Sequence, residues 1–141
     1  MSINIFVNFN GNCREAVEFY AEVFNTEKPK FMTFKNSPPD PNFTLPEEAK
    51  DLIMFTSLKI NDSDIMFSDT FPGMPFTAGN NINITVVDTD IENVKSYFNK
   101  MKVGGTIEMD LQETFWSKCY GSVVDKFGVP WQFSHSDGRQ Y

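Results

Sequence analysis

Five positions in the first half of this chain recur 77 residues later as residues in matching roles: Asn12 and Thr89, Glu15 and Glu92, Val17 and Val94, Tyr20 and Tyr97, Phe24 and Met101. An internal repeat constrains a fold more than local propensity does, because each copy must pack in a similar way. In the first copy Asn12 opens a helix with Glu15 at its third position, and Ala16, Val17, Tyr20, Val23 and Phe24 recur on one helical face. That spacing predicts an amphipathic helix over 13–24. In the second copy Thr89 takes the cap position with Glu92 three residues on. Val94, Tyr97, Phe98 and Met101 form the apolar stripe, and Gly104-Gly105 offers a left-handed end.

Each helix follows an alternating strand, Ile3–Phe9 in the first copy and Asn81–Val87 in the second. Three further strand-like segments come after each helix. In the first copy they lie near Lys30–Phe34, Ile53–Ile60 and Asp64–Phe67, and in the second over Thr106–Gln112, Tyr120–Asp125 and Pro130–His135. The order is βαβββ twice. It predicts an α+β domain spanning 1–141, with module one over about 1–75 and module two over about 78–141. Only Asn36–Pro46 resists, since it holds four of the eight prolines; it reads as a loop, either a lid or a surface excursion.

Composition narrows the chemistry. Twelve Lys and Arg against 19 Asp and Glu give a formal charge of −7, which opposes a nucleic-acid partner. The start of the chain lacks a basic segment before an apolar run, and no apolar stretch reaches the roughly 18–20 residues a membrane span needs. The expectation is a cytoplasmic protein with no membrane partner, in which Cys13 and Cys119 are reduced thiols. One His and two Cys rule out a His₃ or Cys₄ zinc site.

Four motifs in module order resemble a known family. They are Phe9-Asn10-Gly11-Asn12-Cys13-Arg14-Glu15-Ala16 leading to Phe19-Tyr20, Asp64-Ile65-Met66-Phe67-Ser68-Asp69, Glu113-Thr114-Phe115-Trp116, and Asp125-Lys126-Phe127-Gly128-Val129-Pro130-Trp131. Together with the paired modules they resemble the PhnB-like branch of the vicinal oxygen chelate superfamily, the glyoxalase/bleomycin resistance/dioxygenase fold. The branch carries a 3-demethylubiquinone methyltransferase label, but no Gly-rich S-adenosylmethionine loop accompanies it here; the adjacent Gly104 and Gly105 belong to a helix end.

The resemblance implies two cupped mixed sheets around a cavity, a homodimer, and, in catalytic members, a divalent metal held by strand residues of both modules. Counted from the helix Phe-Tyr pair, the first ligand position falls at Ile5. The 77-residue shift puts its counterpart at Ile82. The position after the Asp125–Gly128 turn is Gln132, and its first-module counterpart is near Phe67. Ile and Phe donate no lone pair, so the resemblance predicts a lost metal site and no cofactor.

The remaining candidates each have two readings. His135 is a general base or a residue near the chain end; Cys13 is an activated thiol or a small residue starting a helix. Asp69 is a ligand-binding carboxylate or a turn former. Glu108, Asp110, Gln112 and Thr114 share one strand parity as acid/base groups or as a wet face. Trp116, Tyr120, Phe67, Trp131 and Phe133 line a cavity or fill a core. The preferred expectation is a metal-free protein binding a small apolar or planar molecule at Ile5, Phe67, Asp69, Ile82, Trp116, Tyr120 and Gln132. The alternatives are an enzyme with a relocated oxygen-ligand site drawn from Asp69, Gln132 or Glu113, and an interaction protein whose cavity is filled by its own rings.

Overall fold

The computed structural model describes residues 1–137. The elements run in the order β1 (Ile5–Phe9), α1 (Cys13–Phe24), β2 (Met32–Thr33), β3 (Ile53–Ile60), β4 (Ser63–Asp69), β5 (Ile84–Asp88), α2 (Ile91–Met101), β6 (Thr106–Gln112), β7 (Tyr120–Val124) and β8 (Pro130–His135). They form two units, Met1–Thr77 and Ala78–Tyr141, each with one helix and one four-stranded mixed sheet. The strand orders are β1-β4-β3-β2 and β5-β8-β7-β6. The βαβββ repeat read from the sequence is therefore the architecture, and the class is α+β.

Within module one, β1 runs parallel to β4, with Phe9 opposite Asp69 and Val7 opposite Phe67, while β3 and β4 are antiparallel. Directly paired residues point to the same side of a sheet and neighbours along a strand to opposite sides. The rings of Phe9 and Phe67 lie 6.4 and 5.7 Å from Tyr20 of α1, so Val7, Phe9, Ile65, Phe67, Thr56 and Leu58 face the helix. Phe6, Asn8, Phe55, Ser57, Met66 and Ser68 hold the opposite, open side. Phe6 and Phe55 meet there at 6.2 Å, and the Ser68 hydroxyl donates to Asn8 Oδ1 at 2.8 Å.

Module two is built alike. Ile84, Val86, Trp131, Phe133 and Val123 pack toward α2, whose Phe98 meets Phe133 edge-on at 6.4 Å. Burying rings of this size stabilises the fold by roughly 2–3 kcal/mol each. Gly121 of β7 is required by the closeness of the helix: a Cβ there would lie 2.8 Å from the Phe98 ring. Thr85, Val87, Tyr120, Ser122, Gln132 and Ser134 occupy the open side.

Several boundaries differ from the sequence expectation. β1 begins at Ile5 rather than Ile3, and β5 at Ile84 rather than Asn81. β2 is two residues long instead of five. Asp90, not Thr89, caps α2 by accepting from Glu92 N at 2.9 Å, because the helix begins at Ile91 and Asp90 is the residue that flanks it. The buried helix positions Ala16, Tyr20 and Val23 match Val94, Phe98 and Met101, a shift of 78 rather than 77. Residues of the proline-rich 36–46 segment form an isolated bridge between Asp40 and Phe43, and the Phe43 ring rests 6.1 Å from Phe71. No described helix is long and apolar enough to cross a membrane.

Candidate functional site

The end of β4 places Asp69 beneath the start of α1. Its Oδ1 accepts from Gly11 N and Cys13 N, each at 3.0 Å, and its Oδ2 accepts from Ile53 N at 2.9 Å. The Asn12 side chain makes no cap bond, so a carboxylate 57 positions away in sequence does the work expected of Asn12. Asp69 is buried and spent on backbone donors, which accounts for it as a structural group. Asp125 is a second case: it accepts from Phe127 N, Val129 N and Trp131 Nε1 at 2.8–2.9 Å.

His135 holds the place in β8 that Asp69 holds in β4, opposite Asp88 as Asp69 is opposite Phe9. Its Nε2 lies 3.0 Å from the Thr89 carbonyl, which requires that nitrogen to carry the proton. Nδ1 is buried. Neither is presented as a general base. Cys13 is fully buried, and burial first, then the Asp69 carboxylate, pushes its thiol up to about 12, with Arg14 opposing. Cys119 is raised by burial as well. Both cysteines are free thiols with no activation toward the thiolate.

The residues expected around a cavity separate by strand parity. Phe67 is wholly buried between Phe9 and Tyr20 on the helix side, so it is core. Trp131 and Phe133 are likewise core, stacked at 6.3 Å on the helix side of β8. Ile5 shares the parity of Phe9 and is 43% exposed; Ile82 precedes β5 and is 76% exposed. The correction has a simple cause. Ile5 was counted back from the helix, Ile82 carried over by the 77-residue shift and Phe67 matched to Gln132, and one residue of slip in any such alignment exchanges the two faces of a strand.

Gln132 and Tyr120 share the open face of module two, and Tyr120 meets Trp116. Gln132 sits on the open face beside Thr85, whose hydroxyl is 3.3 Å from its Oε1, and opposite Ser122 of β7. Tyr120 lies on the same face, its ring 5.3 Å from Trp116, which meets Phe115 at 4.8 Å. Burial and then the Glu108 charge raise the Tyr120 phenol, keeping it a neutral donor. Sequence reasoning missed the equivalent module-one positions, Phe6, Asn8, Met66 and Ser68; their signal was the polar alternation Asn4, Phe6, Asn8 across Ile5, Val7, Phe9.

These donors do not fit a divalent cation. The open-face positions of β1 and β4 are Phe6, Asn8, Met66 and Ser68, and those of β5 and β8 are Thr85, Val87, Gln132 and Ser134. They offer neutral amides, hydroxyls and a thioether, with no carboxylate or imidazole to balance a double charge. Of the relocated set, Asp69 is committed to three N–H groups. Among the described residues no group of three His, Cys, Asp or Glu side chains is placed to hold a metal.

The family model described as 3-demethylubiquinone-9 3-methyltransferase matches residues 1–134. The chain belongs to that family. Protein YjdN of Escherichia coli (strain K12) is 32% identical over 141 residues, covering 95% of each chain. The crystal structure of protein PA1353 from Pseudomonas aeruginosa has a TM-score of 0.81 at 30% identity, covering 96% of this chain and 98% of that one. The PhnB protein of Bacillus cereus has a TM-score of 0.73 at 25% identity, covering 96% and 100%. The fold is that of the PhnB-like branch of the glyoxalase/bleomycin resistance/dioxygenase superfamily.

Proposed function

We propose that this chain binds a small planar or apolar molecule against the open face of module two, without a metal ion. The observation that carries the reading is the Trp116–Tyr120 pair beside the Gln132, Thr85 and Ser122 row. Aromatic walls with a few convergent neutral polar groups suit a flat ligand carrying one or two hydrogen-bonding atoms. Gln132 supplies both donor and acceptor, and Tyr120 a phenolic donor. Methyl transfer is not part of the reading. Gly104 and Gly105 serve the end of α2, where φ is +75° at Gly104 and a Cβ at Gly105 would overlap the Val124 carbonyl.

A cytoplasmic setting with both thiols reduced belongs to the same reading, as does a homodimer. Exposed Ile82, Val87 and Phe6 favour association with a second copy, and light scattering at micromolar concentration measures it.

The deciding experiment is a thermal-shift screen against a metabolite library, run on protein purified without added metal and analysed for Mn, Fe, Ni and Zn. A ligand at 100 times its Kd adds roughly 2.7 kcal/mol. About one metal per chain would sink the metal-free reading. Hits that bind Gln132→Leu and Tyr120→Leu as tightly as the unaltered chain would sink the site.

A further inference from the structure

Module one contains a cleft at the outer edge of its sheet. β6 pairs β7 from Thr106 with Val124 to Gln112 with Tyr120, the whole length of β7, but β2 pairs β3 only at Met32 with Phe55 and Thr33 with Ile53. Beyond Phe55 the outer edge of β3 has no strand partner among the described residues. The chain from Thr26 to Phe31 approaches this edge, tied by the Thr56 hydroxyl donating to the Lys30 carbonyl at 2.9 Å. Between them lies a cleft of about 760 Å³.

Its lining is divided by chemistry. Phe31, Met32 and Phe55 give apolar surface, with Phe55 38% and Met32 46% exposed. Lys28, Lys30 and Lys59 stand at the same cleft. Lys35, Lys50, Lys95 and Lys118 each have an acidic partner within 4 Å, whereas these three have none among the described residues. Glu27 also lines the opening, and against it three of the chain's 12 basic residues leave a local excess of positive charge over an apolar wall, in a chain of net charge −7.

We infer that this cleft binds a small organic anion with a flat apolar body, its carboxylate or phosphate toward Lys28, Lys30 and Lys59 and its body against Phe31, Met32 and Phe55. The site is built from module-one residues alone and uses none of Trp116, Tyr120 and Gln132. The apolar wall alone would accept a neutral ligand of the same shape equally well. The ammonium groups make the difference in affinity between charged and neutral probes the signature.

The test titrates the full ¹⁵N-labelled chain with 2-naphthoate and, separately, with the neutral 2-naphthylmethanol, following backbone amide shifts. The expected result is 2-naphthoate shifts confined to residues 26–32 and 55–61, with 2-naphthylmethanol at least about fivefold weaker. Lys28→Gln/Lys30→Gln/Lys59→Gln should weaken 2-naphthoate to the neutral probe's level, and 0.5 M salt should weaken it about as much. All three lysines are exposed, so the variant keeps its fold, checked by an unchanged amide spectrum elsewhere. Equal binding of both probes, an unchanged Kd in the triple variant, shifts centred on 116–134, or no shifts up to about 5 mM probe each overturn the inference.

Discussion

Asp69 Oδ1 lies 3.0 Å from the Cys13 amide nitrogen, so a carboxylate at the end of one strand caps the first helix while depressing the acidity of the thiol on the capped residue. Asp69→Ala would leave the Gly11, Cys13 and Ile53 N–H groups without their acceptor. The expected loss is about 3 kcal/mol or more, since each stranded buried donor costs roughly 1–3 kcal/mol. Urea denaturation of the variant measures it; a loss below about 1 kcal/mol would contradict the structural role.

The thiol itself gives a second prediction. With Cys13 raised from 9.0 to about 12, only about one thiol in ten thousand is ionised at pH 8. Ellman's reagent should therefore leave Cys13 untouched in the native chain and react with both cysteines after denaturation. Fast labelling of Cys13 in the folded chain would show that the helix start opens readily.

The same displacement sets an alkaline limit on stability. An unfolded thiol titrates near 9 and the folded one near 12, so the folded chain holds the proton more tightly. This contribution is complete below pH 9 and declines as pH rises from 9 toward 12. Cys119, Tyr97 and Tyr120 are displaced upward too and act with the same sign. Denaturation midpoints at pH 8, 9 and 10 should fall, and Cys13→Ala should fall less steeply over the same interval.

The two tryptophans divide the molecule's interior from its open face. Trp131 is fully buried with Nε1 donating to Asp125 Oδ2 at 2.9 Å, while Trp116 is half-buried against Tyr120. Acrylamide should quench Trp116 strongly and Trp131 weakly. A ligand at the proposed site should change the emission of the unaltered chain and of Trp131→Phe, but not of Trp116→Phe. Trp131→Phe should also destabilise by roughly 1–3 kcal/mol, because it removes the Nε1 donor that Asp125 Oδ2 accepts from.

Two glycines test how closely the helix and strands of module two approach. In Gly121→Ala the new methyl meets the Phe98 ring at 2.8 Å, a side chain that can turn at a cost of about 1–3 kcal/mol. In Gly105→Ala it meets the Val124 carbonyl, which is backbone in a paired strand. Gly105→Ala should be the more damaging of the two by thermal denaturation.

Periodicity alone determined the repeated βαβββ order, the two helices and most of the strand centres, because amphipathic spacing is local and the repeat supplied a second reading of it. It also narrowed the soft metal donors, since one His and two Cys are a property of composition. The tertiary structure decided which face each strand residue takes. Ile5 was placed in a cavity by counting back from the helix and Phe67 as the counterpart of Gln132, and the pairing of β1 with β4 instead turns Phe67 inward and Phe6, Asn8 and Met66 outward. Asp69 had two readings until the Gly11, Cys13 and Ile53 amides were seen around it. Those partners lie 16 to 58 positions away. A residue's neighbours in space are set by strand register and helix docking, and no local pattern in the chain encodes them.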